Sequence, residues 1–305
     1  MIVSTRKSHA MSQPSYLCTQ LVDVVAAVLT CARLALEMTV CGGGHGVAGA
    51  AVADDLVMLS LTNLRSVVVD APARTARVGG GALWDHVLAE TERYNLGVVT
   101  GLVSHTGVGG LTLGGGYGYL SRAWGLSCDA LLEATVVLAS GEVVVARPDD
   151  AATKDLFWGL CGGGGNFGVV TEFVFRLRPV PPTLPVIVMK WDVLSDKATS
   201  VLCSYADWCC DSDTPRRSSA FAILDRSSFT VIMVDLTERG NKDASVPKTP
   251  TEDLTEKFCA AMPVPPQHID KREMTYRALN SMFDEGNKAG KVCAHLLAHG
   301  AHDRT

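Results

Sequence analysis

The sequence has few charged residues and no large excess of either sign. Charged side chains make up 19% of the 305 residues, the formal net charge is −5, and no basic run stands out. Proteins that bind nucleic acid or anionic lipid usually carry a basic patch. We therefore expect neither nucleic acid nor a membrane among the partners of this protein.

Signals for export and for membrane insertion are also missing. The first twenty residues contain no continuous apolar stretch. The best candidate for a membrane span, Leu21 to Val40, is interrupted by Asp23, Arg33 and Glu37. An amphipathic core helix explains that segment better than a bilayer span does. The expected location is the cytoplasm.

Several common catalytic and metal-binding motifs do not occur. The ten cysteines show no C-x-x-C spacing, which favours reduced, mostly buried thiols. The sequence has no P-loop, no G-x-S-x-G nucleophile elbow and no set of kinase signatures. Near the C-terminus, Cys293, His295, His299 and His302 are close in sequence, but no glutamate or supporting partner accompanies them. We expect a solvated, frayed terminus there and no metal site.

Glycine is abundant, and it is concentrated in one part of the chain. Twenty-five of the 29 glycines lie between Gly42 and Gly168. Glycine is used where the backbone needs a positive φ or must approach another group closely. Clusters of this kind favour a long ligand whose phosphates lie against main-chain N–H groups. The five clusters are Gly42–Gly49, Gly79–Gly81, Gly107–Gly110, Gly114–Gly118 and Gly162–Gly168.

Two of these clusters match the dinucleotide pattern G-x-G-x-x-G, at Gly44–Gly49 and Gly163–Gly168. Asp70 follows the first match at about the right distance. A Rossmann unit requires a helix after the last glycine, whereas both matches lead into strand-like sequence. A nicotinamide-binding Rossmann domain is therefore disfavoured.

The hydrophobic pattern predicts a mixed α+β fold. Apolar periodicity indicates helices over 20–36 and 83–94. A change of composition at Arg178-Pro-Val-Pro-Pro182 predicts a domain boundary, and 239–257 has the composition of an exposed loop. The predicted domains are a tail over 1–19, a first domain over 20–180 and a second over 181–305. Strands are predicted at 56–61, 66–69, 75–78, 134–139, 143–146 and 169–177.

The ordered set of motifs from Gln20 to Pro179 resembles a known family. The chain is similar to flavin-linked oxidases with the vanillyl-alcohol-oxidase-type, or PCMH-type, FAD-binding fold, and specifically to the berberine-bridge-enzyme-like branch. Relatives of this kind continue beyond the end of the chain, so a C-terminal truncation is expected. The motifs are Gly42-Gly-Gly-His-Gly-Val-Ala-Gly49, Ala76-Arg-Val-Gly-Gly-Gly-Ala82, Thr106-Gly-Val-Gly-Gly-Leu-Thr-Leu-Gly-Gly-Gly-Tyr-Gly118, Trp124-Gly-Leu-Ser-Cys-Asp129, Asp155-Leu-Phe-Trp158 and Gly162-Gly-Gly-Gly-Asn-Phe-Gly-Val-Val-Thr171.

The resemblance implies a two-subdomain FAD-binding domain followed by an incomplete α+β substrate domain. It implies that FAD is the cofactor and that His45 links covalently to the 8α-methyl group of the flavin, although a non-covalent role for His45 remains open. It also implies a set of cofactor-binding residues: Gly42, Gly43, Gly44, His45, Gly46, Val47, Gly49, Ser104, Thr106, Gly107, Gly110, Gly114, Gly115, Tyr117, Gly118, Asp129, Gly168, Val169 and Val170.

The chain departs from the family pattern at four positions. Val103 stands where some relatives carry a cysteine that forms a second flavin link, so a single link is expected. Cys41 and Cys161 replace arginines, which removes two cationic groups near the expected diphosphate. Ala130 replaces a common asparagine.

The expected function is that of an FAD-dependent oxidoreductase. A small organic substrate (an alcohol, a sugar or a secondary metabolite) would transfer a hydride to flavin N5, and O₂ or another acceptor would reoxidise the flavin. His105 is either a proton carrier or an exposed loop residue, and no catalytic base is assigned. The alternative is a truncated, non-catalytic flavin-binding remnant.

Overall fold

The computed structural model describes residues 15–46, 48–51, 55–192, 198–225, 228–236, 251–286 and 295–296. The strands among these residues are β1 (Ser15–Leu17), β2 (Met38–Cys41), β3 (Val57–Ser60), β4 (Val67–Asp70), β5 (Thr75–Gly79), β6 (Leu96–Gly97), β7 (Leu131–Val137), β8 (Val143–Ala146), β9 (Val169–Arg176), β10 (Arg178–Pro179), β11 (Leu184–Asp192), β12 (Ser218–Leu224), β13 (Ser228–Asp235), β14 (His268–Met274) and β15 (His295–Leu296). The α-helices are α1 (Leu21–Leu34), α2 (Trp84–Thr91), α3 (Val108–Leu113), α4 (Ser121–Trp124), α5 (Lys154–Leu160), α6 (Ala198–Cys210), α7 (Thr251–Ala261) and α8 (Tyr276–Asn280).

The chain divides into two compact units. The first takes in Met1–Gly118, Trp124–Pro179 and Asn280–Val292. The second takes in Tyr119–Ala123, Val180–Leu279 and Cys293–Thr305.

The first unit begins with a small parallel sheet in the order β1-β3-β2. Helix α1 packs on this sheet through its apolar face, which includes Val24 and Val28. The Asp23 carboxylate accepts hydrogen bonds from the N–H and hydroxyl of Thr19 at 2.8 and 2.7 Å, and it thereby caps the start of the helix. Strand β2 ends at Cys41, so it delivers the first glycine cluster at the edge of this sheet.

A five-stranded antiparallel sheet in the order β4-β5-β9-β7-β8 forms the rest of the first unit's framework. Its core is aromatic: Phe173 and Phe175 have ring centroids 5.9 Å apart, and Trp84 lies 5.8 Å from Phe175. All three side chains are fully buried. Burial of each stabilises the unit by roughly 2–3 kcal/mol, and this rigid sheet supports the glycine loops.

The second unit has its own antiparallel sheet, in the order β14-β11-β13-β12-β15, and its own core. Helices α6 and α7 supply Trp208 and Phe258 to that core, where the two rings meet edge to face at 4.9 Å. The buried Asp235 carboxylate pairs with Arg217 at 3.1 Å.

The structure confirms most of the predicted elements and corrects two segments. Strand β8 coincides with the predicted strand, and α1 and α2 lie inside the predicted helices. The exposed loop predicted for 239–257 is wrong at its end, because α7 begins at Thr251; its first part lies outside the described residues. His295 was placed in a frayed tail, but it forms β15 and pairs with Ile223.

Two further findings concern membranes and metals. None of the helices in the described ranges is both long and apolar enough to span a bilayer. Groups of three or more His, Cys, Asp or Glu side chains arranged to hold a metal ion do not occur among the described residues. Cys293, His299 and His302 lie outside those residues.

Candidate functional site

The first glycine cluster forms a loop that leaves the edge of the parallel sheet; we call residues 42–49 the His45 loop. The Thr39 hydroxyl donates a hydrogen bond to the Ala50 carbonyl at 2.6 Å, which closes the base of the loop. Gly44 and Gly49 have φ values of 65° and 72°, a region that other residues rarely adopt. Val47 lies outside the described residues.

The first and third glycine clusters meet backbone to backbone. A Cβ on Gly43 would lie 2.4 Å from the Gly107 Cα, and a Cβ on Gly107 would lie 2.5 Å from the Gly43 nitrogen. The Gly80 carbonyl oxygen would lie 3.3 Å from a Cβ on Gly42 and 3.0 Å from one on Gly109. The glycines therefore allow an approach that side chains would block.

A second loop, residues 100–107, lies beside the first; we call it the His105 loop. Its backbone is tied to the start of α2, where the Trp84 and Asp85 N–H groups donate to the Thr106 and Ser104 carbonyls at 3.0 and 2.9 Å. Ser104 is buried, whereas His105 and Thr106 are half-buried. The predicted Ser104 and Thr106 positions are thus brought next to the His45 loop.

His45 and His105 form an imidazole pair. Their ring centroids are 5.0 Å apart and the planes are tilted by 38°. The Nε2 atom of His45 is buried and has no hydrogen-bond partner. Burial and, to a lesser degree, the charge of His105 lower the pKa of His45, whereas the charge of Asp284 opposes this change. His45 is therefore a neutral imidazole at physiological pH.

Sequence reasoning missed two polar residues that reach the His105 loop. The Asp284 carboxylate accepts hydrogen bonds from the Ser104 N–H at 3.0 Å and the Ser104 hydroxyl at 2.6 Å. The Asn280 side chain donates to the Thr100 hydroxyl at 3.0 Å and to the Gly101 carbonyl. Both residues lie in 181–305, the predicted second domain, so the sequence offered no reason to place them at this loop.

The fourth glycine cluster follows α3 and turns back towards the His105 loop. Gly115 and Gly116 have φ values of 97° and 84°. A Cβ on Gly118 would lie 1.6 Å from the Thr100 carbonyl oxygen. Gly114 is exposed and Tyr117 is half-buried. The end of this cluster therefore packs against the start of the His105 loop.

Asp129 has a local structural role. Its carboxylate accepts a hydrogen bond from the Leu126 N–H at 2.7 Å. It also lies so close to Gly125, whose φ is 86°, that a Cβ there would be 2.4 Å from it. The side chain also lines a small cleft together with Trp124 and Arg178.

The fifth glycine cluster contacts the end of α3 and leads into β9. The Gly164 N–H donates to the Leu113 carbonyl at 2.8 Å, which joins this cluster to the end of α3. Gly168, with φ of 142°, leads into β9, where Val169 and Val170 are buried. The Val170 carbonyl oxygen would lie 2.2 Å from a Cβ on Gly80. Val169 and Val170 can therefore offer only backbone groups to a ligand.

The positions that depart from the family pattern are uncharged in this structure. Burial raises the pKa of the Cys41 thiol, and a hydrogen bond from the Gly44 backbone offsets part of that rise. Burial also raises the pKa of Cys161 to about 11. Both thiols are therefore protonated at neutral pH. Val103 is buried and Ala130 is half-buried.

The residues present fit a flavin nucleotide on two observations. The Nε2 atom of His45 is a buried polar atom without a partner, although such atoms are nearly always satisfied. In the His45 loop and in the first turn of α3, Cβ atoms on Gly46 and Gly110 would meet nothing within 4 Å, so the backbone there faces open space. Open space along the glycine backbone, together with a neutral imidazole, suits a cofactor whose phosphates lie against main-chain N–H groups.

Comparison with known sequences identifies the matching family. Residues 16–147 match the family described as FAD binding domain. An FAD-linked oxidoreductase of Dictyostelium discoideum is 39% identical over 158 residues, which are 52% of this chain and 34% of the relative. Berberine bridge enzyme-like 2 of Arabidopsis thaliana is 32% identical over 185 residues, which are 58% of this chain and 34% of that protein. The chain thus spans about a third of the length of these curated relatives.

Solved structures show the same fold over most of the chain. The crystal structure of 6-hydroxy-D-nicotine oxidase from Arthrobacter nicotinovorans has a TM-score of 0.76 at 27% identity, covering 90% of this chain and 59% of that one. Glucooligosaccharide oxidase from Acremonium strictum, described with a 6-S-cysteinyl, 8α-N1-histidyl FAD, has a TM-score of 0.75 at 25% identity and covers 88% and 55%. The predicted PCMH-type α+β fold and the berberine-bridge-like resemblance are confirmed.

Proposed function

We propose that this chain binds FAD and acts as an FAD-dependent oxidoreductase, with the flavin attached through one histidyl link to His45. The substrate is a small organic molecule such as an alcohol, a sugar or a secondary metabolite, and O₂ or another acceptor takes the electrons. When bound, FAD supplies the electron sink, because flavin N5 accepts the hydride that the substrate carbon loses.

The observation that carries this proposal is the state of His45. Its ring is neutral, its Nε2 atom is buried without a partner, and it lies on a loop held against Gly107 by a contact that only glycines permit. A neutral imidazole has a free lone pair and is a competent nucleophile. The comparison with glucooligosaccharide oxidase supports a histidyl link, and the buried Val103 in place of a cysteine supports a single one.

Main-chain groups hold the diphosphate in this proposal. The thiols of Cys41 and Cys161 are protonated, so neither replaces the cation that the family pattern has at its position. The open backbone at Gly46 and Gly110 can donate N–H groups without a cationic side chain. We expect the affinity for FAD to depend only weakly on ionic strength. Salt screens ion pairs, and neither Cys41 nor Cys161 carries a positive charge that could pair with the phosphates.

The alternative is a protein that binds FAD but does not catalyse oxidation of a substrate. The loss of both cations is the observation that favours a flavin-binding remnant without turnover. In that case the glycine loops still hold FAD, but no donor reduces it.

Anaerobic reduction of the bound flavin distinguishes the two functions. Purified protein is mixed with a panel of sugars, alcohols and secondary metabolites, and visible flavin absorbance is followed. Bleaching by a donor, with recovery when air is admitted, is the result expected for an oxidoreductase. Bound flavin that dithionite bleaches but that no donor in a broad panel reduces would favour the remnant. Protein that binds no FAD would contradict both.

A further inference from the structure

The segment 280–284, which starts at the last residue of α8, returns two polar side chains to the His105 loop. Asn280 and Asp284, four residues apart, bond to Thr100, Gly101 and Ser104, some 180 residues earlier in the chain. Asn280 and Ser104 are buried. These hydrogen bonds hold the His105 loop in one conformation, because moving the loop would leave buried polar groups unpaired.

Asp284 differs from Asn280 because it brings a charge to the imidazole pair. Both of its carboxylate oxygens accept hydrogen bonds from Ser104, the residue before His105. The titratable groups that act on His45 are His105, on the adjacent loop, and Asp284, on the returning segment. The carboxylate raises the pKa of His45, against the lowering effects of burial and of His105.

We propose that Asp284 is a positioning residue for the attachment of flavin to His45, an inference that rests on the proposed function. Through Ser104 it fixes the loop that places His105 against His45. Its negative charge stabilises the positive charge that develops on the His45 ring as the ring nitrogen bonds to carbon.

The net reaction of attachment is balanced with dioxygen as the oxidant. One C–H bond of the 8α-methyl group and the N–H bond of His45 break, and one C–N bond forms. Two electrons and two protons pass to O₂, which becomes hydrogen peroxide. Asp284 takes no part in this balance; it sets the geometry and the electrostatic potential at His45.

The test follows covalent attachment in the full chain. Protein is produced in riboflavin-limited cells, purified without flavin and mixed with FAD in air-saturated buffer from about pH 5 to about pH 9. Covalent flavin is measured as fluorescence of the denatured polypeptide, and non-covalent affinity is measured separately by quenching of FAD fluorescence. The variants are Asp284→Asn, Asp284→Ala and Ser104→Ala. Asp149→Asn, which removes an exposed carboxylate of the same unit, is the matched control.

We expect Asp284→Asn to attach flavin about tenfold more slowly on the high-pH plateau. The rate of attachment falls on the acidic side of the pH profile, the acid limb, as His45 becomes protonated. In Asp284→Asn this limb should lie at lower pH than in the wild type, because loss of the carboxylate lowers the pKa of His45 and keeps the ring neutral in more acidic buffer. Ser104→Ala should slow attachment without moving that limb, since the charge remains. Asp284→Ala should be the slowest, and Asp149→Asn should match the wild type.

A merely structural role for Asp284 would not move the acid limb. The inference is overturned if Asp284→Asn and Asp149→Asn share both plateau rate and acid limb while the wild type attaches flavin normally. Wild-type protein that binds FAD but never attaches it would overturn the histidyl link as well, so the two failures are distinguishable. Should Asp284→Ala not fold, the near-isosteric Asp284→Asn still decides.

Discussion

The Gly79–Gly81 cluster and the His45 loop look alike in sequence but differ in their surroundings. Gly79, Gly80 and Gly81 are buried, and Cβ atoms on them would lie 2.2, 2.2 and 1.7 Å from backbone carbonyl oxygens. In the His45 loop, a Cβ on Gly46 would meet nothing within 4 Å. One cluster therefore consists of glycines because strands and loops pack on it, whereas part of the other faces open space.

This contrast shows that glycine has two separate uses in one cofactor domain. Closed glycines let protein backbone approach protein backbone, and they set the positions of the loops. Open glycines leave room for something that is not protein. Substitutions with alanine separate the two uses, because a methyl group destabilises the fold at the first kind and impairs ligand binding at the second.

The largest effect is expected for Gly81→Ala. Its Cβ would lie 1.7 Å from the Leu61 carbonyl oxygen, which belongs to backbone and cannot move without disrupting the adjoining parallel sheet. We expect a loss of stability above about 4 kcal/mol, or failure to fold. Soluble yield and thermal unfolding by circular dichroism measure it. A variant that melts within a few degrees of the wild type would show that this cluster is not closed.

A smaller effect is expected for Gly46→Ala, and it should concern FAD affinity and not stability. The added methyl group has no protein neighbour, so unfolding should change by less than about 1 kcal/mol. FAD affinity should fall about tenfold because the methyl group occupies the space next to the phosphates. Titration with FAD and a thermal melt on the same sample measure both quantities. Unchanged affinity would place the diphosphate elsewhere.

The smallest effect concerns the thiols that precede two of the glycine clusters. Burial raises the pKa of Cys161 to about 11, so this thiol should resist iodoacetamide at about pH 8. Cys203 and Cys210, which are exposed, should be alkylated first. Mass mapping of labelled peptides measures the order, and labelling of Cys161 should accelerate as the pH approaches 11. Labelling of Cys161 as fast as Cys203 would mean that the cluster it precedes is more open than described.

Local patterns in the sequence predicted much of the fold. Periodicity alone predicts strand β8 and helix α1. The apolar residues after the two dinucleotide-like matches likewise predict the strands that follow them, β3 and β9. The helix α7 was missed because its first residues, Thr251-Glu-Asp, read as the end of a polar loop. Its buried face, which includes Leu254 and Phe258, packs in the core of the second unit, and that contact is not visible in the local sequence.

The candidate site was harder to predict, because its contacts join distant parts of the chain. The motif predicts His45, but its pairing with His105 depends on the contact between the two loops. Asp284 lies about 180 residues from Ser104, and no local pattern reveals that contact. Asp129 was predicted at the cofactor from its motif alone, and its hydrogen bond with the Leu126 N–H, which gives it a local role as well, could not be read from that motif.

The most direct test of the account is whether flavin stays on the polypeptide after denaturation. Purified wild type, His45→Ala, His105→Ala and His268→Ala are precipitated with acid, and flavin fluorescence and the masses of the proteolytic peptides are measured. The account predicts one flavin on the peptide that contains His45 in the wild type and in His268→Ala, an exposed histidine of the second unit. It predicts none in His45→Ala, and reduced attachment in His105→Ala. Flavin released entirely into the supernatant by the wild type, or found on another residue, would contradict it.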